Sequence, residues 1–463
     1  MEAIPARRLG AIRLALDCSA SRSGSSCCCG GSRGGVGCSA AAAAAAGPAF
    51  EYKPSRYTSD EFEMVDGEQG HKIWRPTRPL PLSSSLLHAP VSQNPRLITD
   101  ADFSDVEAWA GFGMAASIEV TRGGRVWTVW AGGEDGPHAH LLASYSDSGG
   151  DRWREPVFMI SPRRVNPDVP VGTRLGSLWL DPHGRLWLFF HQCLMMFDGH
   201  NANWCTRCDD PDADSPTWTE PCYIGFGASL NKPIVLRDNS WLLPVSLWER
   251  WHIDQPFADC YRELDAVRGA NVFISDDEGE SWRFRGGTIF DDSCFNEHSV
   301  VELDDGRLWL LSRCFTEAAQ SFSHDGGRTW SPQSRAFPHA NSRCAFRRLQ
   351  SGSVLLVKHG QSMEEATPSR SHLCAFLCTD AAALTWSGGL LLDEREAVSY
   401  PDVAQAPDGS IYVHYDRGRA TVCSILLILA SFSRSHSWPC WRLCRTQRSS
   451  SPAFARKMYC AGR

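Results

Sequence analysis

Apolar residues in the middle of the chain fall into short alternating or aromatic runs, each introduced by a tight-turn signal. The copies are Gly123-Gly124-Arg-Val-Trp-Thr-Val-Trp, His183-Gly184-Arg-Leu-Trp-Leu-Phe-Phe, Asp238-Asn239-Ser-Trp-Leu-Leu-Pro-Val, Asp305-Gly306-Arg-Leu-Trp-Leu-Leu-Ser, Ser351-Gly352-Ser-Val-Leu-Leu-Val-Lys and Asp408-Gly409-Ser-Ile-Tyr-Val-His-Tyr. Asp-Gly and Gly-Gly before β-formers predict hairpins, because these residues accept the positive φ that favoured hairpin turns require. The turn markers at 124, 184, 239, 306, 352 and 409 are spaced by 60, 55, 67, 46 and 57 residues. Each interval suits a four-stranded sheet with its loops. Six such units predict an all-β, six-bladed β-propeller. The rival, two stacked sandwiches, gives no reason for six similarly decorated hairpins.

A second element interleaves with the hairpins, a loop ending at Trp153, Trp218, Trp282, Trp330 or Trp386. Ser275 to Trp282 and Ser323 to Trp330 both read S-x-D-x-G-x-[ST]-W, while Ser146 to Trp153 has Ser148 in the Asp position. The acids of these boxes are expected to stabilise their own turns, and the Trp to pack under a neighbouring hairpin.

Composition adjusts this picture. The 463 residues would ordinarily suggest about three domains, but the repeats read as one, from 90 to 420. Residues 1–50, with five Arg, two acids and a run of seven Ala, cannot bury enough apolar surface to fold; they read as an organelle transit peptide or an unstructured extension. Residues 421–463 form an atypical Ser-, Arg- and Cys-rich tail, from which Ser424 to Phe432 is a candidate closing strand for blade six. The compartment and oligomeric state are not legible. With 46 Lys+Arg against 53 Asp+Glu, the net charge of −7 argues against nucleic acid as the main partner, and the longest apolar run, Val422 to Phe432, is too short to span a bilayer. Cys205-Thr-Arg-Cys208 has zinc-ribbon spacing, but no second such pair accompanies it, so no metal site and no cofactor are assigned.

The repeat register exposes the chemistry. Nine places before the markers stand Ala115, Leu175, Leu230, Glu297, Arg343 and Tyr400; seven places after them stand Ala131, His191, Ser246, Arg313, His359 and Asp416. Glu297 and Arg313 are symmetric about Asp305, so the register predicts a polar cluster at the axis from blades four to six. Singly, a Glu opposite an Arg is also an ordinary cross-strand ion pair, and Tyr-Pro an ordinary strand start.

The boxes, the stretch Asn296-Glu297-His298 to Arg313, Ser399-Tyr400-Pro401-Asp402, Asn231-Lys232-Pro233, and Arg370-Ser-His372-Leu-Cys-Ala-Phe together resemble the sialidase (neuraminidase) superfamily, in its Asp-box repeat branch, from about Arg96 to Arg419. The resemblance implies a retaining exo-glycoside hydrolase that releases a terminal acidic sugar, with Tyr400 as nucleophile and Glu297 as its base. A tyrosine nucleophile suits an anomeric carbon that bears a carboxylate, since an anionic nucleophile would be repelled. Arg313 and Arg370 would bind the substrate carboxylate through bidentate forks, with Arg343 added from the register alone. Two departures accompany the resemblance. The blade-one stretch Gly113-Met-Ala-Ala-Ser-Ile118 lacks the family's first carboxylate-binding Arg, and His140 stands where an acid Asp is expected, with Glu134 and Asp135 nearby. A non-catalytic carbohydrate-binding propeller and a polysaccharide lyase acting on a uronate are the alternative readings.

Overall fold

The computed structural model describes residues 62–66, 72–76, 95–99, 112–161, 170–255, 257–365, 369–380, 385–429 and 441–447. The expected targeting segment at 1–50 lies outside the described residues.

Among the described residues six antiparallel blade sheets follow one another along the chain; the first strands pack together between sheets one and two, three and four, four and five, and five and six, and the sixth returns to the first. These are the blades of a six-bladed propeller. Their first strands are Gly113–Val120, Val171–Leu180, Ile234–Val235, Ser293–Glu302, Ala345–Arg348 and Val398–Gln405. Blade one gains a fifth strand, Arg96–Ile98, paired with its outer strand Phe158–Ser161. A separate hairpin pairs Phe62–Asp66 with Lys72–Pro76. Blade six continues past residue 420: its third and fourth strands are Thr421–Leu429 and Trp441–Gln447, so composition understated the length of the repeat region.

All six turn markers take positive φ, from +65° at Asn239 to +88° at Gly184. Each donates its N–H to the carbonyl three residues earlier, at 2.9 to 3.0 Å. This repeated turn fixes the first hairpin of every blade and gathers the six turns at one end of the propeller.

The box loops are built as expected. Asp277 accepts from the Ser281 N–H at 2.9 Å, and Asp325 from the Thr329 N–H at 2.9 Å and hydroxyl at 2.6 Å. Their tryptophans reach across to the preceding blade: Trp218 packs on Trp127 (5.5 Å between ring centres), Trp282 on Phe189 (5.6 Å) and Trp386 on Trp309 (5.9 Å). The boxes therefore stitch blade to blade with edge-on and tilted aromatic contacts.

At the end away from the turns the first hairpins become irregular. Register shifts interrupt blade one between Ala115 and Ser117, blade two between Thr173 and Gly176, blade four between Ser293 and His298, and blade six between Ser399 and Asp402. Non-glycine residues with positive φ occur here too: Phe295, Asn296, His372, Ala397, Tyr400 and Arg419. Such conformations each cost on the order of 1 to 3 kcal/mol and concentrate at functional sites.

Candidate active site

Strict hairpin symmetry would set Glu297 opposite Arg313, but the blade-four bulge intervenes, since Ser293 pairs with Cys314 and His298 with Ser312. The bulge leaves Glu297 outside the ladder and turns its side chain inward. Arg313 Nη1 then lies 2.7 Å from Glu297 Oε2, with both side chains buried. Tyr400, at φ +53° in the bulge of blade six, donates from its hydroxyl to Glu297 Oε1 at 2.9 Å, and Arg313 Nη1 donates to the same phenol oxygen at 3.3 Å. Burial pushes the Glu297 carboxyl up, but Arg313 above all, with Arg343 and the Tyr400 hydrogen bond, outweighs it and holds Glu297 below the usual range. Its carboxylate is thus ionised and aimed at the phenol proton.

Arg370 lies in the loop before the third strand of blade five. It donates from Nε and Nη2 to the Asn341 carbonyl at 3.1 and 2.8 Å, and from Nη1 to Ser399 Oγ at 2.7 Å, with its guanidinium 5.6 Å from the Tyr400 ring centre. Asn341, which sequence reasoning missed, also accepts from Arg313 Nε at 2.7 Å through Oδ1. One asparagine thus sets the spacing of two arginines.

Arg343 also faces the Tyr400 ring, 5.1 Å from its centre, but its hydrogen bonds go elsewhere. Only 1% exposed, it donates to the carbonyls of Leu230 (2.7 Å), Ala116 (2.9 Å) and Tyr400 (3.4 Å), so its guanidinium is taken up by main chain from three blades. His140 opens the third strand of blade one at 3% exposure, and burial pushes its imidazole down to about 4. At neutral pH the ring is therefore uncharged. The two acids before it differ: burial pushes Glu134 up to about 7, while half-exposed Asp135 lies 4.0 Å from both Arg174 and Arg419.

Arg419 is the second residue the sequence did not expose. Its guanidinium sits 4.3 Å from the centre of the Tyr400 ring and donates to Asp416 Oδ2 at 3.0 Å. Asp416, at a register position the sequence did single out, is fully buried, and burial pushes it up to about 6. A further carboxyl, Glu249, accepts from Asn296 Nδ2 at 2.6 Å and is likewise carried by burial up to about 7.

The turn end carries different chemistry. There Lys232 Nζ lies 3.1 Å from Asp402 and 3.3 Å from Glu119, and donates to the Leu178 carbonyl at 2.8 Å. Beside it opens a cavity of about 500 Å³, lined by residues that include Pro233, Phe346 and Arg348. Its charged groups are mostly tied to one another, so the acid–base constellation belongs to the other end. Among the described residues no group of His, Cys, Asp and Glu side chains is arranged to hold a metal, and no helix is long and apolar enough to cross a membrane.

Residues 124–413 match the BNR repeat-like domain family. The chain belongs to that family. The BNR-repeat resemblance read from the sequence is borne out, as is the propeller. Among solved structures, a Hadza microbial sialidase is 17% identical, with a TM-score of 0.54 over 68% of this chain and 65% of that one. The leech intramolecular trans-sialidase, solved with 2,7-anhydro-Neu5Ac, is 12% identical, with a TM-score of 0.51 over 67% and 66%. The NanB sialidase of Streptococcus pneumoniae is 13% identical, with a TM-score of 0.51 over 71% and 68%. The BNR repeat-like chain thus spans just under two thirds of the first two. At these identities the likeness is one of fold. No curated protein matches the sequence.

Proposed function

We propose that this BNR repeat-like propeller is a retaining exo-glycoside hydrolase acting on a terminal acidic sugar, sialic acid or a related one, with Tyr400 as nucleophile. The observation that carries the reading is the closed triangle of Tyr400 Oη, Glu297 and Arg313, with contacts of 2.9, 2.7 and 3.3 Å. A phenol is a weak nucleophile unless its proton has a destination. The ionised Glu297 offers one, and Arg313 offers compensating positive charge as the phenolate forms.

In the first step Tyr400 Oη attacks the anomeric carbon while its proton passes to Glu297 Oε1. The bond to the leaving oxygen breaks, and an acid protonates that oxygen. His140 does not suit this role, because its uncharged ring has no readily released proton at neutral pH. Glu134 suits it better, being held protonated up to about 7 by burial. In the second step the deprotonated acid takes a proton from water, which attacks the anomeric carbon. Tyr400 departs and recovers its proton from Glu297, so two inversions give net retention. Arg313 and Arg370 would hold the substrate carboxylate across the face of the Tyr400 ring. Arg343, committed to main-chain carbonyls, serves in this reading as a pin at the propeller axis rather than as a substrate contact.

The test is a screen of aryl sialosides and aryl uronides, with the first-released sugar followed by NMR. Release of the anomer with the configuration of the substrate supports the proposal. Release of the opposite anomer, or of an unsaturated sugar, overturns it.

A further inference from the structure

The blade-one stretch Gly113 to Ile118 has no arginine to offer a carboxylate, yet the space above it is not empty of charge. The turn of blade six that follows Arg417 lies over Gly113: the Gly113 N–H donates to the Arg419 carbonyl at 2.7 Å, and a Cβ on Gly113 would meet Val422 at 3.4 Å and the Ala420 carbonyl at 3.8 Å. The blade-six turn thus occupies the ground from which a blade-one side chain would rise. We infer that Arg419, delivered by blade six and positioned by Asp416, is the third guanidinium that grips the substrate carboxylate, replacing the one blade one lacks. This rests on the proposed hydrolase reading of the same site.

Three features separate Arg419 from a structural arginine. The first is backbone strain: Arg419 holds φ +55°, a left-handed conformation that glycine adopts freely and arginine does not. The strain is retained where it aims the side chain over Tyr400. The second is exposure. The Arg419 side chain is 23% exposed, whereas buried Arg343 is surrounded by carbonyls. The third is support from both sides. Asp416 holds Nη1 at 3.0 Å and is itself anchored by the Ala115 N–H of blade one at 3.3 Å, while Asp135 lies 4.0 Å from Nη2. Arg313, Arg370 and Arg419 therefore border one tyrosine from blades four, five and six, with 5.6 and 4.3 Å from the latter two guanidiniums to the ring centre. A planar, permanently charged fork is the group that reads a carboxylate, and three forks discriminate it from a neutral isostere better than two.

The experiment compares wild type, Arg419→Gly and Arg419→Lys on an aryl glycoside carrying the sugar carboxylate and on its carboxamide counterpart. Glycine relieves the backbone but leaves buried Asp416 without its counter-ion, so the thermal midpoint of each variant is measured beside its kinetics to separate loss of function from loss of fold. The expected result is a rise in KM of about 10- to 100-fold for the carboxylate substrate, a smaller change for the carboxamide, and partial recovery with lysine. Asp416→Asn, which acts through Arg419, should raise KM for the carboxylate substrate with less effect on kcat. Equal discrimination between the two substrates in wild type and Arg419→Gly overturns the inference. Calorimetric titration of free sialic acid and glucuronic acid into Tyr400→Phe and the Arg419 variants keeps the two readings apart. Binding by Tyr400→Phe that Arg419→Gly weakens supports Arg419 whatever the fate of the nucleophile, and binding that Arg419→Gly leaves unchanged overturns it even where Tyr400→Phe is inert.

Discussion

Tyr400 and Glu297 share a 2.9 Å hydrogen bond across the propeller axis, although they come from blades six and four and lie 103 positions apart. Glu297 in turn is the counter-ion of buried Arg313. Replacing Glu297 with Gln removes both the proton acceptor and the charge. The expected outcome is a fall in kcat of about 10²- to 10⁴-fold, together with a loss of about 3 to 5 kcal/mol in urea denaturation from the unpaired Arg313. Retained kcat in the folded fraction would remove Glu297 from the reaction.

Arg343 tests the division between pin and pocket. Arg343→Met removes the side-chain donor that the buried carbonyls of Leu230 and Ala116 share, so stability should fall by about 3 kcal/mol or more. KM of the surviving folded protein should change less than about threefold, because the proposed function gives Arg343 no substrate contact. A large KM change with little loss of stability would return it to the pocket.

With Glu134 as the proposed acid, its protonation state should set the alkaline limb. Burial raises its pKa to about 7, so the acid form is present below that and lost above it. The expected kcat/KM falls as pH rises through about 7. In Glu134→Gln, glycosides with poor leaving groups should slow by about 10²-fold or more, and activated aryl glycosides much less. The same pattern in Asp135→Asn but not in Glu134→Gln would assign the acid to Asp135, which stands beside Arg419.

Glu249 makes a stability prediction with a definite sign. Burial is the dominant influence and lifts its pKa from 4.5 to about 7, so the folded protein holds a proton that the unfolded chain releases. The contribution to stability is complete below about 4.5 and is lost as pH rises through about 7, for roughly 3 kcal/mol at about 1.4 kcal/mol per unit. Glu134 acts in the same direction. Denaturation at pH 5 and pH 8 should show the folded state weaker at pH 8, and Glu249→Gln should reduce that difference while preserving an acceptor for Asn296. An unchanged difference would contradict the burial argument.

Much of the architecture was legible because it is written locally. Gly124, Gly184, Asn239, Gly306, Gly352 and Gly409 each signal a turn within a few residues, and the same backbone conformation appears at all six. The meeting of Glu297, Arg313 and Tyr400 was legible for a related reason, since equivalent positions of a repeat converge on one axis. Arg419 was not, because it lies outside the register and reaches the site only when blade six closes over Gly113. Asn341 carries no motif, and its role depends on the fold of the loop before Ala345. The fate of Arg343 was hidden as well: its register position was informative, but its partners are carbonyls from distant blades. Blade six ran beyond residue 420 because strand pairing, rather than composition, decides where Thr421–Leu429 and Trp441–Gln447 belong.

The most direct measurement is hydrolysis of aryl sialosides and aryl uronides by Tyr400→Phe beside the wild-type protein. Removing one oxygen leaves the ring between its arginines and should not disturb the fold. A nucleophilic Tyr400 predicts wild-type turnover on an acidic glycoside and a loss of about 10³-fold or more in kcat for Tyr400→Phe, with the thermal midpoint little changed. Hydrolysis by Tyr400→Phe at the wild-type rate would contradict the account.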